Sequence, residues 1–382
     1  MKKRLKSLDT FRGLCITWMI FGHVSEWWMT HESFVFIHYL ICIIDAIGAT
    51  GFLFISGISL TLSYRSKMSK IESKNDLSYK KLRLNYFLRA IFLFIVGIIY
   101  NIVDVIRTGN ITLIWNWFIL FTLPVSILLA WPLLKYRTEV KLLAAILIII
   151  LDQLLYPLLQ PFQSLTPHPL NLLYYFLYNG EQLTPIIAYF PFFILGTVAA
   201  DIIYDYYIIR DEDTSNGDPF TKILFISIIM GTILLFTAFF LIPLPVITER
   251  FLWQRRNLAW IIYTIGVLFT FYPALFYVKD IKMVNVSEKY RFFYYFSYYS
   301  FSIFLIHYGL YFVFSYVLNL LLFIPLIIIT VLLLGFGLRF IYMKIGNIFS
   351  LKFQLARLAN GITDQFYLTI EELKAREKLL TK

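Results

Sequence analysis

An arginine and a histidine in the first apolar stretch of the chain are the residues best suited to chemistry. Phe11 to Trp28 is largely apolar, yet it contains Arg12 near one end and His23 near the other. The two are eleven residues apart, so on an α-helix they share a face, about 16 Å apart along the axis. A guanidinium can bind an anion, and an imidazole can take up a proton near neutral pH. The spacing indicates a polar track through a membrane, although an arginine extending to the headgroups and a histidine that only packs are alternatives.

Three more ionisable residues are candidates for the same site. Asp45 and His307 lie inside apolar stretches, and His31 lies at the end of the first stretch. Asp45 could orient a histidine by accepting its ring N–H. A neutral imidazole could then act as a base. The alternatives are structural, namely a protonated carboxyl or a histidine that hydrogen-bonds a neighbouring helix.

The composition is that of a multi-span membrane protein. Of the 382 residues, 59% are hydrophobic and 19% are aromatic, and the mean hydropathy is +0.73, well above the average for soluble proteins. The net charge of +11 comes from basic residues in short loops, which indicates membrane topology and not nucleic acid binding. Cys15 and Cys42 both lie in apolar runs, so neither a disulfide framework nor a cysteine metal site is expected.

The predicted fold is all-α, with about ten transmembrane helices, because backbone polar groups in lipid must be satisfied within each segment. Residues 1–345 are expected to form the transmembrane domain, and residues 346–382 an amphipathic tail on the cytoplasmic surface. The predicted spans are 11–29, 36–63, 86–106, 111–131, 139–156, 185–208, 220–245, 256–277, 293–318 and 320–343.

Loop charges predict the orientation of these spans. Lysines and arginines crowd the N-terminus and the loops after the second, fourth and eighth spans. The long loop from Tyr156 to Thr184 contains neither. The positive-inside rule therefore places both termini in the cytoplasm. Arg250, Arg255 and Arg256 would then face outward, where they either mark a misplaced span boundary or contact an anionic or sugar-bearing acceptor.

Several stretches carry a family resemblance. SLDTFRG at residues 7–13, followed by an apolar run and His23, resembles the start of the transmembrane acyltransferase superfamily. That superfamily includes the acyltransferase-3 O-acetyltransferases and heparan-alpha-glucosaminide N-acetyltransferase. The spacing of Arg12 and His23 resembles the acyltransferase-3 pattern. Three later stretches resemble further helices of these proteins, in the same order: FLFISGISL at 52–60, FPFFILG at 190–196 and SYYSFSIFLIHYGL at 297–310.

The resemblance implies an enzyme that transfers an acyl group, with acetyl expected, from cytoplasmic acyl-CoA to an extracytoplasmic sugar or glycan. It implies acetyl-CoA or another acyl-CoA as donor substrate, and no metal. The predicted catalytic residues are His23, His31, Asp45 and His307, and the predicted donor-binding residues are Arg12, Arg65, Lys81 and Arg83.

Two questions remain open at this point. His23 is the predicted base, with His31 contacting the acceptor, but His31 matches the glucosaminide-acetyltransferase branch and the roles could be exchanged. A membrane arginine, aspartate and histidine are also typical of transporters of small solutes or lipid-linked precursors, although the broken, internally symmetric helices of that class are not evident. The partners expected are membrane lipid, acyl-CoA and a carbohydrate, and the oligomeric state is not predicted.

Overall fold

The computed structural model describes residues 4–71, 76–163, 168–179, 183–209, 219–241, 257–281 and 292–380. Within these ranges the chain is helical, apart from short connections and one isolated bridge between Met29 and Leu318. The all-α prediction is therefore confirmed. The α-helices are α1 Lys6–Trp28, α2 His31–Ile44, α3 Ala49–Met68, α4 Leu77–Thr108, α5 Ile119–Ala130, α6 Thr138–Leu159, α7 Pro169–Tyr178, α8 Ile186–Ile203, α9 Pro219–Leu241, α10 Leu258–Phe276, α11 Phe292–Tyr298, α12 Ser300–Ile306, α13 Tyr311–Phe314, α14 Leu320–Lys344 and α15 Leu351–Leu380.

Eight segments of the described chain are long and apolar enough to cross a membrane. The protein is thus a polytopic membrane protein, with a span count close to the ten expected. The predicted outward arginines Arg250, Arg255 and Arg256 lie outside the described residues. The eight segments are Asp45–Met68, Leu77–Thr108, Ile111–Ala130, Thr138–Gln163, Ile186–Ile208, Pro219–Leu241, Leu258–Ile281 and Leu320–Lys344.

The other predicted spans differ from continuous apolar helices. Residues 36–63 are interrupted, because α2 ends at Ile44 and a single 3₁₀ turn, Asp45–Ile47, precedes α3. Residues 293–318 are divided among α11, α12 and α13. Averaged hydropathy detects the apolar character of these stretches but not a local change of helix type. α1 is long enough to span, but the ionisable residues near both of its ends reduce its apolar character.

Glycines allow the central helices to touch backbone to backbone. Almost every residue of α8 is buried, and its Gly196 packs on α3 so closely that a Cβ there would overlap the Phe54 carbonyl. A Cβ on Gly57 of α3 would overlap the Phe193 carbonyl in the same crossing. Small residues at helix crossings are the usual way for membrane helices to pack closely. The two stretches FLFISGISL and FPFFILG therefore pack directly against one another.

Charged residues join several helix ends at the end of the bundle where α1 begins. Asp280 accepts hydrogen bonds from the backbone N–H groups of Lys6 and Ser7, at 2.8 and 3.0 Å, which supplies two of the partners that a helix N-terminus lacks. Nearby, Asp201 of α8 binds both Arg65 of α3 and Lys141 of α6. We call this the Arg12 end of the bundle, and the opposite end of α1 the His23 end.

The C-terminal helix α15 packs along α4 at the Arg12 end. Asn85 of α4 donates to Asn360 of α15 at 2.6 Å, and Lys81 lies 3.8 Å from Asp364. α4 has 32 residues and is therefore about 48 Å long, against about 30 Å for the hydrocarbon core of a bilayer. Its length leaves room for α15 to pack on a part of α4 that extends beyond the core.

Candidate active site

Two histidines from distant parts of the chain meet at the His23 end. His23 lies near the end of α1, and His307 begins the 3₁₀ turn His307–Leu310 that follows α12. Their ring centroids are 5.2 Å apart. Trp27 stacks on both rings, at 5.3 Å from His23 and 5.6 Å from His307. Tyr308 adds another aromatic wall, 4.5 Å from the His307 ring. The pair therefore lies in a largely apolar, aromatic environment.

The hydrogen bonding of His307 defines which of its nitrogens can accept a proton. The side chain is buried, at 3% exposure, and Nδ1 lies 2.6 Å from the carbonyl oxygen of Phe304. A carbonyl only accepts, so this contact assigns the proton to Nδ1 and leaves a lone pair on Nε2. Nε2 is buried and has no hydrogen-bond partner among the described residues. Because an unpaired buried polar atom costs about 1–3 kcal/mol, this nitrogen is suited to bind or deprotonate a substrate group.

Backbone contacts hold the end of α1 against the segment that carries His307. Tyr316 N–H donates to the Trp27 carbonyl and Leu318 N–H to the Trp28 carbonyl, both at 2.8 Å. The Trp28 indole N–H donates to the Leu310 carbonyl at 2.6 Å. Tyr316 adopts a φ of +61°, a left-handed conformation that is unfavourable for a residue with a side chain. These contacts fix the relative position of the two imidazoles.

At the other end of α1, Arg12 is held by hydroxyl groups. Its guanidinium donates to Ser59 Oγ of α3 and, at 3.4 Å, to Ser297 Oγ of α11. No carboxylate lies within ion-pair distance of it in the described part of the chain. Asp9, one turn earlier, is engaged by Arg4 at 2.8 Å. Gly13 lets α1 approach α11 at this point, since a Cβ there would overlap the Phe293 carbonyl.

Arg12 and His23 both contact the segment 292–314. Arg12 reaches Ser297 of this segment, and His23 reaches His307. These contacts agree with the shared face predicted for the two residues. Asp45 lies elsewhere around α1. Its Oδ1 and the side chain of Trp18 both approach Gly48, and Trp18 is about 120° around the helix from Arg12. His31 is the exposed first residue of α2.

The other predicted donor-binding cations have partners. Arg65 is bound to Asp201 and Asp205 and lies over the Tyr204 ring. Lys81 is near Asp364, and it lines a groove of about 280 Å³ between the end of α3, the start of α4 and α15. Arg83 is exposed, 5.9 Å from the centre of the Phe87 ring. Arg12 thus differs from these three in having only hydroxyl partners among the described residues.

Three participants could not be found by reading the sequence. Ser59 and Ser297 are ordinary serines of apolar helices, and nothing local marks them as partners of Arg12. Lys352 lies in the predicted tail, yet its charge interacts with that of Arg12. Only the return of α15 to the bundle brings this lysine near the first helix.

The chain matches the family described as heparan-alpha-glucosaminide N-acetyltransferase, catalytic, over residues 4–245. The match includes Arg12, His23, His31 and Asp45, whereas His307 and Lys352 lie beyond it. No curated protein matches the chain. Among the described residues, no group of histidine, cysteine or carboxylate side chains is arranged to hold a metal ion. Since the match covers more than half of the sequence, the chain belongs to the heparan-alpha-glucosaminide N-acetyltransferase catalytic family, whose members are acyltransferases of the membrane.

Proposed function

We propose that this protein transfers an acetyl group from cytoplasmic acetyl-CoA to a glucosaminide or related sugar on the other side of the membrane. The observation that carries the proposal is the close pair of His23 and the buried His307, with the unpaired Nε2 of His307, in a chain of this family. Proton-coupled carriers also contain membrane histidines, so family membership is what favours an enzyme over a carrier. Family membership supports acyl transfer, and the identities of donor and acceptor are our proposal.

The reaction requires a base at the acceptor. In the proposed step, His307 Nε2 takes a proton from the acceptor amine or hydroxyl as that atom attacks the thioester carbonyl. The C–S bond breaks after the new C–N or C–O bond has formed. The proton returns to the departing sulfur, so that CoA leaves as a thiol. A positioned base of this kind contributes about 10²–10⁴-fold to the rate.

We propose that His23, the neighbour of His307, takes part in the same step. Its ring lies where it can position the acceptor or take over the proton. The assignment predicted from the sequence, with His23 as the base and His31 at the acceptor, is the alternative. Asp45 lies beside Trp18 of α1. It remains a candidate for positioning α1.

We place the donor along α1, with its phosphates at the Arg12 end and its thioester at the His23 end. The two side chains are about 16 Å apart along the helix axis. CoA separates its phosphates from its sulfur by the long pantetheine arm, so one molecule can reach both ends. Guanidinium groups suit phosphate because they form paired, charge-assisted hydrogen bonds. Lys81 and Arg83 are candidates for the outlying 3′-phosphate, and Arg65 is a weaker one because two carboxylates bind it.

The test is acetyl transfer by the purified, reconstituted protein. Proteoliposomes would receive [¹⁴C]acetyl-CoA on one side and glucosamine-terminated oligosaccharides on the other. The proposal predicts acetylated sugar and one equivalent of free CoA thiol. Sugar uptake without CoA release would instead identify a carrier. The absence of both products across N- and O-acceptors would reject the proposed function.

A further inference from the structure

The start of α15 is fixed against the helices that contact Arg12. Ser302 of α12 accepts a hydrogen bond from the Leu351 N–H at 3.0 Å and donates to the Phe349 carbonyl at 2.7 Å. Ser350 donates to the Tyr298 carbonyl at 3.4 Å, next to Ser297, a partner of Arg12. The C-terminal helix therefore begins at a defined place in the bundle.

Lys352, in the first turn of α15, interacts electrostatically with charged groups of two other helices. These are Arg12 and Asp9 on α1 and Arg89 on α4. The positive charge of Arg12 is the largest cause that lowers the pKa of Lys352 to about 7. Burial and Arg89 lower it further, and Asp9 opposes them. The side chain of Lys352 is exposed to solvent, so an anion can reach the amine from outside.

In the described part of the chain none of these three cations forms an ion pair, and the nearby carboxylate, Asp9, is already bound by Arg4 and by Ser297. Among the residues that the structure describes, Arg12, Arg89 and Lys352 have no carboxylate within ion-pair distance. Arg89 contacts the amide oxygen of Asn360 at 3.3 Å, and its Nε is buried without a hydrogen-bond partner. Three like charges held together in this way repel one another, and a bound polyanion would reverse that cost.

We propose that Lys352, supplied by the C-terminal helix, completes with Arg12 and Arg89 a binding site for the phosphates of the acyl-CoA donor. This inference rests on the proposed function, because it names the donor as the anion. It assigns α15 a part in donor binding, although this helix lies outside the residues that match the family. A phosphate of a lipid headgroup has the same chemistry and is the competing ligand.

Donor binding should then be coupled to protonation of Lys352. Without the anion the amine is mostly neutral above pH 7, and bound phosphates favour its charged form. Binding therefore takes up a proton at alkaline pH, and affinity falls as the pH rises. For a free pKa of about 7, raised well above 8 by the ligand, the dissociation constant should increase about tenfold between pH 6 and pH 8.

The experiment measures CoA binding to the purified full chain by isothermal titration calorimetry, for the wild type and three variants. Lys352→Gln should weaken CoA binding about tenfold or more, as expected for the loss of a charged hydrogen bond. It should raise the KM for acetyl-CoA and leave kcat almost unchanged. Lys352→Arg should restore affinity and remove the part of the pH dependence that comes from Lys352. Arg357→Gln is the matched control, because it removes the same charge from an exposed position about 140° around α15.

The outcomes separate this inference from the proposed function. If the wild type and Lys352→Gln bind CoA equally, the role of Lys352 is rejected and the acetyltransferase proposal stands. If no form binds CoA, the proposed function itself fails. If Lys352→Gln loses binding of dihexanoyl phosphatidylglycerol but not of CoA, the site belongs to a lipid headgroup and the assignment is overturned. Thermal unfolding of each variant, and rescue by Lys352→Arg, distinguish lost binding from misfolding.

Discussion

Asp201 and Asp205 offer a matched test of how the helices are joined at the Arg12 end. They lie four residues apart, and both bind Arg65. Asp201 also binds Lys141, and the side chains of that pair are only 5% and 0% exposed. Asp205 is 43% exposed. The same substitution, aspartate to asparagine, therefore removes a buried partner at one position and a solvated partner at the other.

The expected losses of stability differ severalfold. Asp201→Asn leaves the buried ammonium of Lys141 without its counter-ion, and breaking a buried pair in this way costs about 3–5 kcal/mol. Asp205→Asn removes a partly solvated contact, for which about 0–1 kcal/mol is typical. Arg65 keeps one carboxylate in either variant, so its contribution is similar in the two.

The assay is reversible unfolding of the detergent-solubilised protein, followed by tryptophan fluorescence. Asp201→Asn should unfold at a clearly lower denaturant concentration than the wild type, and Asp205→Asn close to it. A variant that replaces both buried partners, Lys141→Met with Asp201→Leu, should recover part of the loss, because it no longer buries an unpaired charge. Equal losses for Asp201→Asn and Asp205→Asn would refute the reasoning from burial.

Three further predictions concern packing, donor binding and orientation. Gly196→Ala should destabilise the protein by about 1–3 kcal/mol, as overpacking does when backbone must shift. Gly337→Ala should not, because nothing lies within 4 Å of a Cβ at that position. Similar melting temperatures for the two variants would contradict the close crossing. Arg12→Lys keeps the charge but loses the planar guanidinium, so it should raise the KM for acetyl-CoA more than the KM for the acceptor. Unchanged donor kinetics would count against a role for Arg12. Reporters fused after Lys70 and after His168, both exposed, should report opposite sides of the membrane, and a shared side would remove the basis for the proposed direction of transfer.

Much of the fold could be predicted because hydropathy and helix geometry depend on local sequence. Apolar segments of sufficient length identified most of the helices, and the period of the helix placed Arg12 and His23 on one face. The breaks at Asp45 and His307 could not be predicted, because both occur within apolar stretches and depend on a local tightening of the backbone. Whether a stretch such as 36–63 is one helix or two is decided by its packing.

The site could be predicted only in part, for the same physical reason. His23 and His307 were each identifiable as ionisable groups in apolar helices, which are costly there and usually functional. Their pairing depends on α1 packing beside α12, across almost the whole chain. The availability of His307 Nε2 depends on a single contact to the Phe304 carbonyl. In the sequence, Lys352 resembles any other lysine of an amphipathic helix. Its interaction with Arg12 depends on where α15 packs.

The most direct test of the proposed mechanism is the turnover number of His307→Gln at saturating acetyl-CoA and acceptor. Glutamine retains a hydrogen-bonding side chain but cannot act as a base. The prediction is a loss in kcat of about 10²–10⁴-fold, with CoA affinity unchanged. His168→Gln, on the exposed loop before α7, is the control and should keep normal turnover. If His307→Gln turns over within a fewfold of the wild type while His31→Ala loses activity, His307 is not the base and the proposed mechanism is rejected.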